Sequence, residues 1–289
     1  MRKWLKFDKW VIAALLYVAV VIGGFQVYDQ YFADKTQIAS AMKHEGNQAP
    51  GHSEGSHEES GHDHQNASGH EGTSEVTTFV QSNGNEIKIF LKDKTGNPVN
   101  DLVVNHEKLL HFIIVDDHLN KFYHVHPEQI GQGEFRVQSN LPEGFYKAFI
   151  DIKPKNLAYH VVPVPFVVGN PSGLTDSHHD KLKPDNQLFQ TIDGETVKLK
   201  LSSTQANQPI TLMFDLDKTK LSPYLGAMGH VVILDENAQT FLHVHPANDQ
   251  ETIFETEFKQ AGIYKIWAEF KQDGKVRAFP FVVEIEGGK

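Results

Sequence analysis

At 289 residues with a formal net charge of -10, the chain has room for two domains of roughly 100 to 120 residues each and shows no basic stripe that could neutralise nucleic-acid phosphates. The absence of cysteine excludes disulfides, thiolate zinc sites, type 1 copper centres and a cysteine-linked lipid anchor. Any metal then has to be held by His, Met or carboxylate, and the seventeen histidines fall in groups.

The chain opens with "MRKWLKFDKWVIAALLYVAVVIGGFQVYDQYF", in which Arg2, Lys3, Lys6 and Lys9 precede an apolar run from Trp10 to about Val27. Cations on the N-terminal flank and aromatics at both ends (Trp4, Trp10, Tyr28, Tyr31) predict a transmembrane anchor over residues 1–33 with its N-terminus inside. The rest of the chain is then extracytoplasmic on a single-pass cell-membrane protein. A cleaved signal peptide is the rival reading, with "ASA" at Ala39–Ala41 as the cleavage site, although that site lies well past the apolar run. Residues 34–75 are rich in Gly, Ser, Glu and His and almost free of large apolar side chains, which predicts a disordered tether. His44, His52, His57, His62, His64 and His70 lie in it beside carboxylates, so it is either a weak metal buffer or a hydrophilic spacer.

Beyond Glu75 the helical period is missing, and short apolar runs bounded by turn residues take over: "EIKIFL", "KLLHFIIV", "KFYHVHP", "GEFRVQ", "GFYKAFIDI" and "HVVPVPFVV", then "ETVKLKLSS", "PITLMFDL", "GHVVILD", "TFLHVHP", "TIFETEF", "GIYKIWAEF" and "VRAFPFVVEI". This spacing predicts a mainly β chain, with two tandem antiparallel sandwiches. The two series align as an internal duplication: His111 matches His230, His124 matches His243, His126 matches His245 and Pro127 matches Pro246, giving H-x12-H-x-H-P twice. The expected units are 76–170 and 187–289, joined by a linker over 171–186 around "GNPSGLTDSHHDKLKPDN".

Residues i and i+2 of a strand share a face, so His124 with His126, and His243 with His245, make two halves of metal sites. A two-residue loop at Glu236 and Asn237 places His230 opposite His243, and one at Asp117 and His118 places His111 opposite His124. Three imidazoles then share one face in each unit, at the rim of its sandwich. Such a set suits copper or zinc; the competing reading is a group of structural histidines. Met228 offers a soft thioether two residues before His230 or is a core side chain, its counterpart being Leu109. Gly226 and Gly229 allow a tight backbone before His230, and Tyr146 and Tyr264 read as corner residues. His106, His118, His160, His178 and His179 have no repeat partner and read as surface or loop residues.

"YLGAMGHVVILDENAQTFLHVHP", followed by "AGIYKIWAEFKQDGKVRAFPFVVEI", resembles a group of poorly characterised bacterial membrane-anchored or secreted proteins with an LGAxGH…HVHP motif. It is also loosely similar to YtkA-like and FixH-like domains associated with copper. The second unit carries the pattern at Leu225, Gly226, Ala227, Gly229, His230, His243, His245 and Pro246; the first has "VNHEKLL" in place of the glycines. The resemblance implies an immunoglobulin-like or cupredoxin-like sandwich outside the cytoplasm. No general base stands beside HVHP in both units, Glu128 in one facing Asn248 in the other, so the expectation is not an enzyme. It is a membrane-tethered metal binder for copper or zinc, exchanging its ion with a donating or accepting protein. A structural or interaction module is the alternative.

Overall fold

The computed structural model describes residues 73–171 and 181–288, apart from His106, His245, Ala247 and Asp249. The anchor, nearly all of the tether, the middle of the linker, His178 and His179 lie outside the described residues. The described residues contain strands and no helix, and none of their segments is a helix long and apolar enough to cross a membrane.

The first unit is built from β1 (Val76–Asn83), β2 (Glu86–Asp93), β3 (Leu102–Val103), β4 (Leu110–Asp116), β5 (Phe122–Val125), β6 (Glu128–Gly131), β7 (Glu134–Gln138), β8 (Gly144–Pro154) and β9 (Val164–Val168). One sheet runs β1-β2-β7-β6; the other runs β3-β8-β4-β5, with β9 added on β8. The second unit is built from β10 (Phe189–Ile192), β11 (Glu195–Leu201), β12 (Pro209–Asp215), β13 (Leu221–Ser222), β14 (His230–Asp235), β15 (Phe241–Val244), β16 (Ile253–Glu257), β17 (Gly262–Gln272) and β18 (Lys275–Ile285). Its sheets run β10-β11-β12-β16 and β13-β17-β14-β15, with β18 on β17. The sequence therefore folds as two repeated β-sandwich units. β1, β3, β6, β10 and β13, absent from the expected strands, are short or lie at sheet edges, where the hydrophobic pattern is weakest.

Each unit closes on its own core by strict alternation. In the first, Leu110, Phe112 and Ile114 of β4 meet Tyr146, Ala148 and Ile150 of β8 and the inner faces of β1 and β2. In the second, Val231 and Ile233 of β14 meet Tyr264, Ile266 and Ala268 of β17 and Phe279 and Phe281 of β18. The corner tyrosines take the expected structural place, Tyr146 Oη donating to Pro142 O at 2.8 Å and Tyr264 Oη to Gln260 O at 2.9 Å.

The alternate residues of β4 and β14 are buried as well, which an open sandwich face would not require. Ile113, Val115, Phe149, Val232, Leu234, Phe241 and Trp267 form a third apolar cluster drawn from both units. Phe149 stacks on Phe241 with centroids 5.1 Å apart, and Phe122 on Trp267 at 4.9 Å. The two stacks are reciprocal, because Phe122 is the repeat counterpart of Phe241, and Phe149 of Trp267. The five-stranded sheets thus pack outer face to outer face, both within one compact body, His62–Lys289.

The hairpin registers differ from the expected ones by two residues. Val231 pairs with Val244 and Val232 with His243; Phe112 pairs with Val125 and Ile113 with His124. His230 is therefore not opposite His243, nor His111 opposite His124. The loops hold four residues, 117–120 and 236–239, because an aspartate side chain organises each. Asp116 accepts from the amides of Asn120 and Lys121 at 2.7 Å, and Asp235 from those of Gln239 and Thr240 at 2.6 and 2.5 Å. Leu119 and Ala238 take left-handed backbone at φ 55 and 50 and turn their side chains into the shared apolar cluster. A shift of two keeps every side chain on its face, so the expected facing of the histidines is retained.

Candidate metal centre

His111 and His124 from one unit and His230 and His243 from the other lie on the outer faces of β4, β5, β14 and β15, at one end of the apolar cluster, and His126 follows directly after β5. The histidines of the two units form one cluster rather than two separate groups. His111 lies 5.1 Å from His243 between ring centroids, and His124 lies 5.4 Å from His243 and 6.1 Å from His230. The sandwich rim expected from the sequence is in fact a buried interior: His111 and His230 are 0% exposed, and the side chains of His124 and His243 are 0% and 3% exposed.

The hydrogen bonds fix which nitrogen each ring turns inward. His111 donates from Nε2 to Asn105 O at 2.9 Å, and its repeat counterpart His230 donates from Nε2 to Tyr224 O at 2.9 Å. His124 donates from Nδ1 to Glu269 Oε2 at 2.5 Å, and its counterpart His243 donates from Nδ1 to Asp151 Oδ2 at 2.7 Å. Both carboxylate bonds cross between units, since Glu269 sits on β17 and Asp151 on β8. With their protons so placed, His111 Nδ1 and His124 Nε2 face each other at 3.0 Å as two lone pairs, and His126 Nε2 lies 3.2 Å from the same His111 Nδ1.

One ligand atom from each of His111, His124 and His243 lies within 4.8 Å of the others, so these three residues could hold an ion, and His126 adds a fourth nitrogen beside His111. Burial, followed by the neighbouring His124 and His111, pushes the His126 imidazole down to about 3, leaving it neutral and able to give its lone pair. Tyr224, pushed up to about 12 by burial and by Glu269, stays a neutral phenol over the His230 ring, with centroids 5.6 Å apart.

Of the other residues singled out, His245 and His106 lie outside the described residues. Met228 is half-buried in the bend before β14, and Leu109 packs against the first core. His118 is exposed and His160 half-buried in loops. Gly226 takes φ +79, and Gly229 has no room for a side chain, an added Cβ falling 2.5 Å from the Phe270 ring and 2.9 Å from Glu269 O. Asp151 and Glu269 were missed. Their signal is a carboxylate at the same place in two apolar strands, "AFIDI" and "IWAEF".

No curated protein matches the chain. Among solved structures it is similar to the tetra-tandem repeat in the extending region of a large adhesion protein, at 9% identity and a TM-score of 0.23 over 73% of this chain and 49% of that one. It thus spans about half the length of that protein. It is also similar to the chicken interferon gamma receptor alpha chain, at 14% identity and a TM-score of 0.22 over 73% of this chain and 98% of that one. A third likeness is the BSP domain of a biofilm-associated protein, at 15% identity and a TM-score of 0.21 over 74% of this chain and 30% of that one. A protein-family model described as a domain of unknown function, DUF8832, matches residues 64–170 and 190–287. As that is more than half of its length, the chain belongs to the DUF8832 family.

Proposed function

We propose that this chain is a membrane-tethered, extracytoplasmic metal-binding protein, not an enzyme, that buffers, delivers or confers resistance to copper, with zinc as the alternative ion. Its two units are immunoglobulin-like or cupredoxin-like sandwiches, and the ion sits between them among His111, His124, His126 and His243. The observation that carries this reading is the pair of lone pairs at 3.0 Å on His111 and His124. Two inward lone pairs repel unless a cation or a proton lies between them. A tetrahedral ion with metal–nitrogen bonds of about 2.0 Å sets its ligand nitrogens about 3.3 Å apart, close to the 3.0 and 3.2 Å separations within the first unit. Each ring of the set except His126 also gives its other N–H to a carboxylate or carbonyl, an arrangement that orients metal-binding histidines.

The full chain, purified without a histidine tag and dialysed against a chelator that strips loosely held ions, should retain about one copper or zinc ion. Alanine at His111, His124 or His243 should each remove it. A second reading is favoured by the two His–carboxylate bonds that cross between units: the cluster is then a structural latch, with a shared proton in place of a metal. A metal-free product at every copper and zinc concentration would establish that reading.

The anchor rests on the clustered N-terminal cations and the apolar run, and protease added to wall-stripped cells should digest the tether and free the folded units. Protection of both would overturn the outside placement. The resemblance to copper-associated domains points to a metal-donating or metal-accepting protein as partner.

A further inference from the structure

We propose that Asp151 and Glu269, each reaching from one unit to a histidine of the other, are the charge-balancing residues of the metal centre and make it select a divalent over a monovalent ion. This deepens the reading that the histidine cluster holds a metal and rests on it. Asp151 lies beside His111 in the β4–β8 register, and Glu269 beside His230 in the β14–β17 register. Each carboxylate nevertheless bonds the HVHP histidine of the opposite unit, His243 and His124 respectively. Their side chains are 13% and 7% exposed, so both charges sit largely out of water.

Neutral imidazoles leave the full charge of any bound ion uncompensated, and a buried net charge is strongly disfavoured. With two carboxylates one hydrogen bond away, a dication brings the buried set to neutrality, whereas a monocation leaves one negative charge. Replacing one carboxylate by its amide reverses the preference: the dication then carries one uncompensated positive charge, and the monocation none. The amide oxygen still accepts the imidazole N–H, so ring orientation is kept while charge is removed.

The experiment compares the full-length chain with Glu269→Gln and Asp151→Asn, measuring the affinities of Zn(II) and of Ag(I) by competition with chelators that outcompete residues 34–75. Zn(II) affinity should fall about 10–100-fold in each variant, as for other outer-shell partners of metal-bound histidine, while Ag(I) affinity holds or rises. A parallel loss of both ions would mean that the carboxylates serve only to hold the units together, and unchanged Zn(II) affinity would mean that they do not serve the ion; either result overturns the proposal. Failure of the unsubstituted chain to bind either ion would overturn the metal-binding reading as well.

Discussion

The His126 imidazole is held down to about 3 by burial and by the His124 and His111 imidazoles beside it. An unfolded chain protonates the same ring near 6.5. Between these values the unfolded state binds a proton that the folded state refuses, so the stability of the metal-free protein falls as pH drops from about 6.5 toward 3. His126→Gln removes the titrating ring, and its urea midpoint should change less between pH 7 and pH 4.5 than that of the unsubstituted protein. Equal changes in the two proteins would show that the acid sensitivity lies elsewhere. At this scale the sequence was informative about which histidines share a face and silent about their hydrogen-bond partners. The i, i+2 spacing of His124 and His126 states that they share a face. That Glu269 would reach His124 depends on a packing between units that no local pattern encodes.

At the scale of the strand, the approach to β14 is set by two glycines that act for different reasons. Gly229 lies against β17, where a Cβ would fall 2.5 Å from the Phe270 ring and 2.9 Å from Glu269 O. Gly229→Ala therefore pushes β14 from β17 at the point where His230 and Glu269 are neighbours, at a cost of about 1–3 kcal/mol for overpacking. Gly226, at φ +79 and with its nearest foreign atom, Glu107 Oε1, at 3.6 Å, meets only the backbone cost of alanine in left-handed conformation, about 1–2 kcal/mol. Thermal unfolding of the two variants should show the larger loss for Gly229→Ala, which should also lose tight metal binding. Retention of full metal affinity by Gly229→Ala would separate the start of β14 from the site. The runs "FIIV" and "VVIL" already mark β4 and β14 as buried on both faces, since an open sandwich strand alternates. The identity of the second partner was not legible, because apolar side chains do not specify what covers them. The two-residue error in register has a similar origin: Leu119 and Ala238 take a left-handed backbone that is costly for residues with a Cβ, and their compensation is burial between the units.

The whole molecule is held together by contacts that repeat in exchange. Phe149 on Phe241 and Trp267 on Phe122 are the same stack made twice, and His124–Glu269 and His243–Asp151 are the same polar bond made twice. Lys147 adds a bond from Nζ to Asn237 O at 2.7 Å. Aromatic pairs of this kind contribute about 0.5–1.5 kcal/mol each beyond the area they bury, so the interface should survive loss of the covalent link, which otherwise only raises the effective concentration of one unit near the other. With a protease site inserted between Pro171 and Lys181, the cleaved chain should still elute from a sizing column as a single species at micromolar concentration. Trp267→Ala removes one stack and part of the apolar cluster and should release the halves, each still folded on its own core. Because the histidines proposed to hold the ion come from both units, an ion that binds only the joined form would shift association by mass action. Copper or zinc should therefore tighten the cleaved pair, and chelator should loosen it. Separation of the cleaved halves without any substitution would show that the linker alone keeps the two units together; association insensitive to metal would show that the ion, if bound, is held by one unit.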